Sequence, residues 1–287
     1  MFIRETPLKS SRCRALKLGC KILHQTPKFV PLETIVDPDV LAVVDGFGLD
    51  RFEQCSTVRG KSLNWPCLSK RLLWMAYGHE YIEPELLDWI DSIPSGSVLF
   101  DIGASNGIFA IYAAASNLRV VACEPDPSNH FLLAFNNYLN SKLNDVKLEA
   151  CLNIALSDSL GIGHLQIAKM EIGGHQKILD KPFDVFGDEF QPEHSHSVLK
   201  TPLDQLVTLY GLPAPDYLKI DVDGAEVEVL KGSVRHLSAV KEVFIELTEE
   251  LLSDFAEDFF ASLNLKLISK QQVQRYNGLW NCIFKRN

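Results

Sequence analysis

Four acidic residues, Asp101, Glu124, Asp221 and Glu246, each stand where a short apolar run stops. A carboxylate in such a place accepts hydrogen bonds from hydroxyls or neutralises a cation. Two of the four have informative surroundings. Asp101 opens the segment DIGASNG, in which Gly103, Ala104, Ser105, Asn106 and Gly107 are all small. Gly103 permits a tight turn, and small neighbours let a ligand come close to the backbone. A helix starting near Asn106 would offer free N–H groups to an anion. Glu124 follows Gly107 by 17 residues, at the end of the next apolar run, where its carboxylate can accept from both hydroxyls of a ribose. Together these residues indicate a cofactor that contains a nucleoside.

The loop also discriminates between such cofactors. A dinucleotide fingerprint reads GxGxxG, whereas this loop reads GxxxG and lacks the middle glycine that admits a pyrophosphate. The phosphate-cradling pattern GxxxxGK[ST] is absent as well. Asp101 would repel a pyrophosphate. S-adenosylmethionine fits better, its ammonium meeting Asp101, its carboxylate the loop N–H groups and its ribose Glu124. A nicotinamide-dependent oxidoreductase and a non-catalytic module that senses the cofactor are the alternatives.

The second chemical cluster is KIDVDGAE, with Lys219, Asp221, Asp223 and Glu226. On a strand, Lys219, Asp221 and Asp223 share one face. Methyl transfer needs nucleophile, methyl and sulfur in line, so positioning supplies much of the rate. A hydroxyl nucleophile also needs a base or a metal to take its proton. Asp221 is expected nearest the reacting centre, as base or metal ligand. Lys219 would keep that carboxylate charged or bind the acceptor oxygen. Asp223 and Glu226 would bind substrate, form the turn or cap the following helix. Glu246 could join Asp221 and Asp223 around Mg²⁺, which prefers oxygen ligands.

The elements that must hold these residues are legible in the hydropathy pattern. From residue 97 short strand-like runs alternate with helical stretches: SVLFDIG, RVVACEPD, VKLEACLNIAL, YLKIDVDG, VKEVFIEL, LKLISK and LWNCIFK. Alternation of this kind predicts an α/β fold with a largely parallel sheet. The last two runs are separated only by QQVQRYNG, which allows a hairpin and one antiparallel strand. In such sheets ligands bind beyond the carboxyl ends of the strands, where the four acids stand. Residues 159–200 interrupt the alternation. HLQIAK and SVLKT are expected to pair and to bracket a long polar loop, a candidate substrate lid. The insertion carries His164, His175, His194 and His196. The HSH pair reads as solvated, and His175 in IGGHQK as a candidate base.

Upstream, residues 31–96 read as a helical extension, with Pro84 in the first turn of a helix ended by Pro94, Ser95 and Gly96. Residues 1–30 hold seven basic residues against one acid, a basic lead-in without the apolar core of a secretory signal. A net charge of −9 disfavours a nucleic-acid partner, and no apolar run is long enough to span a membrane. Seven cysteines, none at CxxC spacing, argue against a disulfide framework or a cysteine zinc site and make the cytoplasm the default compartment, with organellar targeting as the alternative use of the basic lead-in.

The segments DIGASNGIFAIYAA, VVACEPDPSN, FNNYLN, IALSD, TPLDQL, YLKIDVDGAEVEVLKGS and VFIEL, in this order, resemble the FkbM-type S-adenosylmethionine-dependent methyltransferases. YIEPELLDWI also resembles the segment that precedes the family's first strand. The resemblance implies a class I methyltransferase fold, Rossmann-like, with a seven-stranded sheet whose last strand is antiparallel. It also implies methylation of an oxygen on a sugar, glycan or similar polar molecule. Carried onto this sequence, it extends the cofactor contacts to Pro125, Asp126 and Ala155, with Asp221 close to the methyl. Two departures stand out: Asp223 replaces the usual Glu, and Ser105 replaces the usual Asn of the loop.

Overall fold

The computed structural model describes residues 53–273 and 276–287. The basic lead-in and the first part of the extension lie outside the described residues. The described chain opens with a hairpin, β1 (Glu53–Val58) and β2 (Lys61–Pro66), closed by Arg59 and Gly60, both at positive φ. That pair of conformations matches the twist of the flanking strands. Val58, Leu63 and Trp65 turn inward with strand periodicity. The wholly helical extension is therefore corrected within the described residues: 53–66 form a hairpin, and helix begins at residue 70. Helix α1 (Lys70–Ile82) is capped by the Ser69 side chain, which accepts from the Leu72 N–H, and α2 (Pro84–Ser92) starts on Pro84.

The remaining strands are β3 (Val98–Ile102), β4 (Arg119–Cys123), β5 (Ala150–Leu152), β6 (Ala155–Leu156), β7 (Gly161–Ile167), β8 (Lys177–Leu179), β9 (His194–Thr201), β10 (Tyr217–Ile220), β11 (Glu242–Thr248), β12 (Leu265–Gln272) and β13 (Leu279–Arg286). Seven of them form one sheet in the order β12-β13-β11-β10-β3-β4-β5. Pairs β10–β11, β10–β3, β3–β4 and β4–β5 are parallel, and β13 runs antiparallel to both its neighbours. The central parallel strands β3, β4 and β10 are buried on both faces, as sheets covered by helices require. Val98, Phe100, Ile102, Leu218, Ile220, Val243 and Ile245 pack on one side. Leu99, Val120, Ala122, Tyr217 and Phe244 pack on the other with the hairpin, α1 and α2. Residues 53–96 thus share the sheet's core, within one unit spanning residues 53–287.

One expected strand is two. VKLEACLNIAL breaks at Asn153, whose amide donates to the carbonyls of Glu124 and Pro125. The chain leaves the large sheet there, and β6 joins a second sheet ordered β6-β9-β7-β8. Strands β7 and β9 pair antiparallel from Gly161↔Lys200 to Ile167↔His194. Among the described residues no helix is long and apolar enough to cross a membrane.

The packing between hairpin and sheet contains one electrostatic liability. His79 is 1% exposed, edge-on to the rings of Trp65, Phe109 and Tyr112, and neither ring nitrogen has a hydrogen-bond partner. Burial pulls its pKa down to about 3. The unfolded chain takes up this proton near 6.5, so the folded state keeps its stability above that pH and loses it below. The loss is about 1.4 kcal/mol per pH unit between the two values. In urea melts, His79→Leu should therefore gain about 2 kcal/mol on wild type between pH 7.5 and pH 5. Equal acid sensitivity of the two proteins would show that His79 is not the titrating group.

Candidate active site

Strand β3 lies between β4 and β10, and the chain reaches β10 only after the second sheet, so the crevice opens between the ends of β3 and β10. Gly103 fits there with φ +76, and a Cβ on it would stand 1.7 Å from the Asp221 carbonyl oxygen. Gly107, at φ +83, caps α3 (Ile108–Ala115). Ser105 also sits in the left-handed region, at φ +50. Its N–H donates to Glu124 Oε2 (2.8 Å), and the Asp126 N–H donates to Glu124 Oε1 (2.8 Å). Glu124 is 5% exposed and lines the crevice. Burial pushes its pKa up to about 7 against the pull of those two N–H groups. Each carboxylate oxygen keeps a second lone pair for a ligand hydroxyl.

Other loop expectations need correction. The N–H groups of Gly103 and Ala104 both donate to the Cys123 carbonyl, and that of Gly107 to the Ala104 carbonyl. With Ser105 committed to Glu124, these N–H groups serve the loop rather than a ligand carboxylate. Ala104, Asn106 and Gly107 do not line the crevice. The Asn106 amide turns back to Met75 Sδ (3.4 Å), and its carbonyl accepts from Asn136 (2.6 Å). Asp101, 2% exposed, faces Lys219 Nζ at 3.0 Å and reaches no chamber. Asp126 is the N-cap of α4 (Pro127–Asn144) and is paired with Lys177 at 2.7 Å. It supports the site from behind. Pro125 and Ala155 do line the crevice, with Ile154 and Leu156.

Lys219 is the hub beneath the crevice. Its ammonium lies 3.0 Å from Asp101, 3.4 Å from Asp221 and donates to the Gly103 carbonyl at 2.9 Å. Burial opposes the charge, but Asp101, Asp221 and Glu83 outweigh it and hold the pKa above that of an ordinary lysine. Lys219 therefore positions groups; it does not line a chamber. Glu226 is also withdrawn, its Oε1 accepting from the Gly224 N–H (2.9 Å) at the start of α6, Glu226–Lys231. Helix α5, Leu203–Tyr210, precedes it in the chain.

Two chambers meet at Asp221, Asp223 and His175, which line both. Their cavity volumes are about 100 and 200 Å³. The smaller holds Glu124 and the apolar side chains of Ile154 and Leu156. The larger combines aromatic residues (Trp74, Tyr81, Phe186, Tyr276) with Glu83, Asp184 and Glu246. Burial, then Asp221, raises Asp223 to about 6 and Glu246 well above the carboxylate range. Asp223, at φ +53, accepts the Gln176 N–H (3.0 Å). Among the described residues, no group of three His, Cys, Asp or Glu side chains is arranged to hold a metal ion. The expected Mg²⁺ set of Asp221, Asp223 and Glu246 is corrected accordingly.

Sequence reasoning missed the residues that pin the insertion down. Asn129 on α4 accepts from the Gly173 N–H and donates to the Gly174 carbonyl, both at 3.1 Å. Arg71 on α1 donates to the Gly173 carbonyl at 2.6 Å and meets the ring of His175. Burial, then Arg71, lowers the His175 pKa. Glu83 was also missed, although YIEPELL marked its neighbourhood.

The chain matches the model of the methyltransferase FkbM domain over residues 101–275. It belongs to the FkbM methyltransferase family. It is accordingly an S-adenosylmethionine-dependent methyltransferase by family, and the nicotinamide reading falls away. "Methyltransferase sdnD" of Sordaria araneosa is 30% identical over 183 residues, 56% of this chain and 70% of that protein. "Hexuronic acid methyltransferase AglP" of Haloferax volcanii is 25% identical over 158 residues, 55% of this chain and 59% of that protein. Among solved structures, a methyltransferase FkbM from Methylobacillus flagellatus matches with a TM-score of 0.45 at 16% identity, over 66% of this chain and 43% of that one.

Proposed function

We propose that this protein methylates a hydroxyl of a sugar, glycan or similar polar small molecule, with the nucleoside of S-adenosylmethionine in the smaller chamber, its amino-acid end reaching past the joint, and the acceptor in the larger chamber. The observation that carries this reading is the joint between the chambers, where Asp221, Asp223 and His175 face both sides. The residues of the smaller chamber fit the cofactor. Glu124 presents two oxygens to a vicinal diol, and the absent side chain of Gly103 lets the loop pass close against the Asp221 backbone at the crevice. When bound, the cofactor supplies a methyl group activated by a sulfonium. Asp221 takes the proton of the acceptor hydroxyl, and Lys219, 3.4 Å away, aims that carboxylate. Asp223 holds the insertion at the joint through the Gln176 N–H. Residues 97–287 serve as the methyltransferase domain, and the 159–200 insertion as its lid. A relative named for a hexuronic acid supports the acceptor class.

Titration calorimetry with S-adenosylhomocysteine tests the cofactor half. Wild type should bind, and Glu124→Ala should weaken binding about ten- to a hundredfold, the worth of one or two hydrogen bonds to a charged group. Unchanged affinity in the variant would remove the ribose assignment. No binding by wild type would remove the reading itself.

A further inference from the structure

With Asp101 locked onto Lys219, the cofactor's amino-acid end has no anionic partner in the place where the sequence put one. The residue that fills this gap is Glu83. It ends α1 and is fixed in direction by Pro84, which restricts the backbone before it. Its own carbonyl accepts from the N–H groups of Leu86 and Leu87. Its half-buried side chain lines the larger chamber beside Met75 and Asp221 and makes no hydrogen bond or ion pair to any described residue. Met75 in turn touches Asn106 of the glycine loop, so this wall lies on the loop's side of the chamber.

The other carboxylates are excluded one by one. Asp101 lines neither chamber. Asp221 lies 3.4 Å from Lys219 at the reacting joint, Asp223 accepts from the Gln176 N–H, and Asp184 accepts from the N–H groups of Phe186 and Asp188. Glu246 belongs to β11, which β10 separates from β3 and the loop. We propose that Glu83 binds the α-ammonium of S-adenosylmethionine, and so anchors the amino-acid end of the cofactor against the glycine loop. This rests on the cofactor reading above. The charges around Glu83 agree with it. Lys219 faces it from β10, Asp221 from just beyond that strand, Asp101 from β3, Glu85 from α2 and Glu246 from β11. Burial, then the field of Asp221, raises Glu83 to about 8. Glu83 makes no ion pair of its own there, and an ammonium ligand would oppose that rise and favour the charged carboxylate.

The test compares S-adenosylhomocysteine with 5′-methylthioadenosine, which keeps the nucleoside and thioether but lacks the amino-acid end. Calorimetry on the full chain at pH 7, in buffers of different ionisation enthalpy, reads affinity and proton release together. Wild type should release a proton with S-adenosylhomocysteine and none through Glu83 with methylthioadenosine. Glu83→Gln should weaken S-adenosylhomocysteine about ten- to a hundredfold, abolish that proton release and leave methylthioadenosine affinity intact. Retained methylthioadenosine binding also certifies the variant's fold. Unchanged S-adenosylhomocysteine affinity in the variant overturns the assignment, as does equal weakening of both ligands. A wild type that binds neither ligand overturns the cofactor reading, and Glu83's role with it.

Discussion

Asp221→Asn is expected to lower kcat by about a hundredfold to ten-thousandfold, the usual contribution of a positioned general base. Cofactor affinity should be retained. The amide keeps the shape of the carboxylate and removes only its basicity. The contacts that fix the ribose lie elsewhere, at Glu124, and those that shape the loop lie at Gly103 and Lys219. Lys219 keeps Asp101 as an ion-pair partner after the change, so its charge is not stranded. Single-turnover measurement with labelled cofactor and a saturating sugar acceptor isolates the methyl-transfer step. A loss of less than about tenfold would mean that positioning alone, which can supply several kcal/mol, carries the reaction. His175, the other basic group at the joint, would then be the group to examine. Burial and Arg71 lower its pKa, and its ring is already engaged by Arg71. That engagement makes Asp221 the better-placed base.

Glu124 and Asp221, just past β4 and β10, and the glycine loop were legible because each depends on short-range sequence (a β-branched run, an acid, small residues, a helix), whereas Asp101 and Glu246 lie inside β3 and β11. Glu124 stands where that spacing puts it. What the sequence concealed was the fate of each polar group after folding. Asp101 and Lys219 sit on different strands far apart in the chain, and only the parallel register Lys219↔Asp101 brings them together. Their pairing withdraws both from the ligand. The N–H groups of Gly103 and Ala104 were lost to the Cys123 carbonyl for the same reason. Asn153, an ordinary loop residue by composition, splits one apolar run between two sheets by binding the backbone of Glu124 and Pro125. The hairpin before α1 has strand alternation only over residues 53–66, too short to outweigh the helical spacing that follows. Arg71, Asn129 and Glu83 lie on helices whose periodicity describes packing, and it carries no information about which polar side chain meets a distant loop.

Gly103→Ala is expected to cost roughly 3 kcal/mol or more in denaturant melts and to abolish cofactor binding. About 1–2 kcal/mol comes from placing a side chain at φ +76. A further 1–3 kcal/mol comes from overpacking. The added Cβ would stand 1.7 Å from the Asp221 carbonyl oxygen and 2.8 Å from its carbonyl carbon. Neither backbone can yield easily. The Asp221 N–H donates to the Ile102 carbonyl at 3.0 Å, extending the β3–β10 ladder, and the Gly103 carbonyl accepts from Lys219. Any relief of the clash therefore pries apart the two strand ends that form the crevice. Gly107→Ala supplies the control. It has a similar φ of +83, but its Cβ would meet Leu133 Cδ1 at 2.4 Å, the end of a side chain that can change rotamer. Its cost should stay near the 1–2 kcal/mol of the backbone alone, with binding kept, because Gly107 does not line the chamber. Equal losses in the two variants would show that left-handed strain, common to both, sets the penalty, and that the close approach of Gly103 to Asp221 does not.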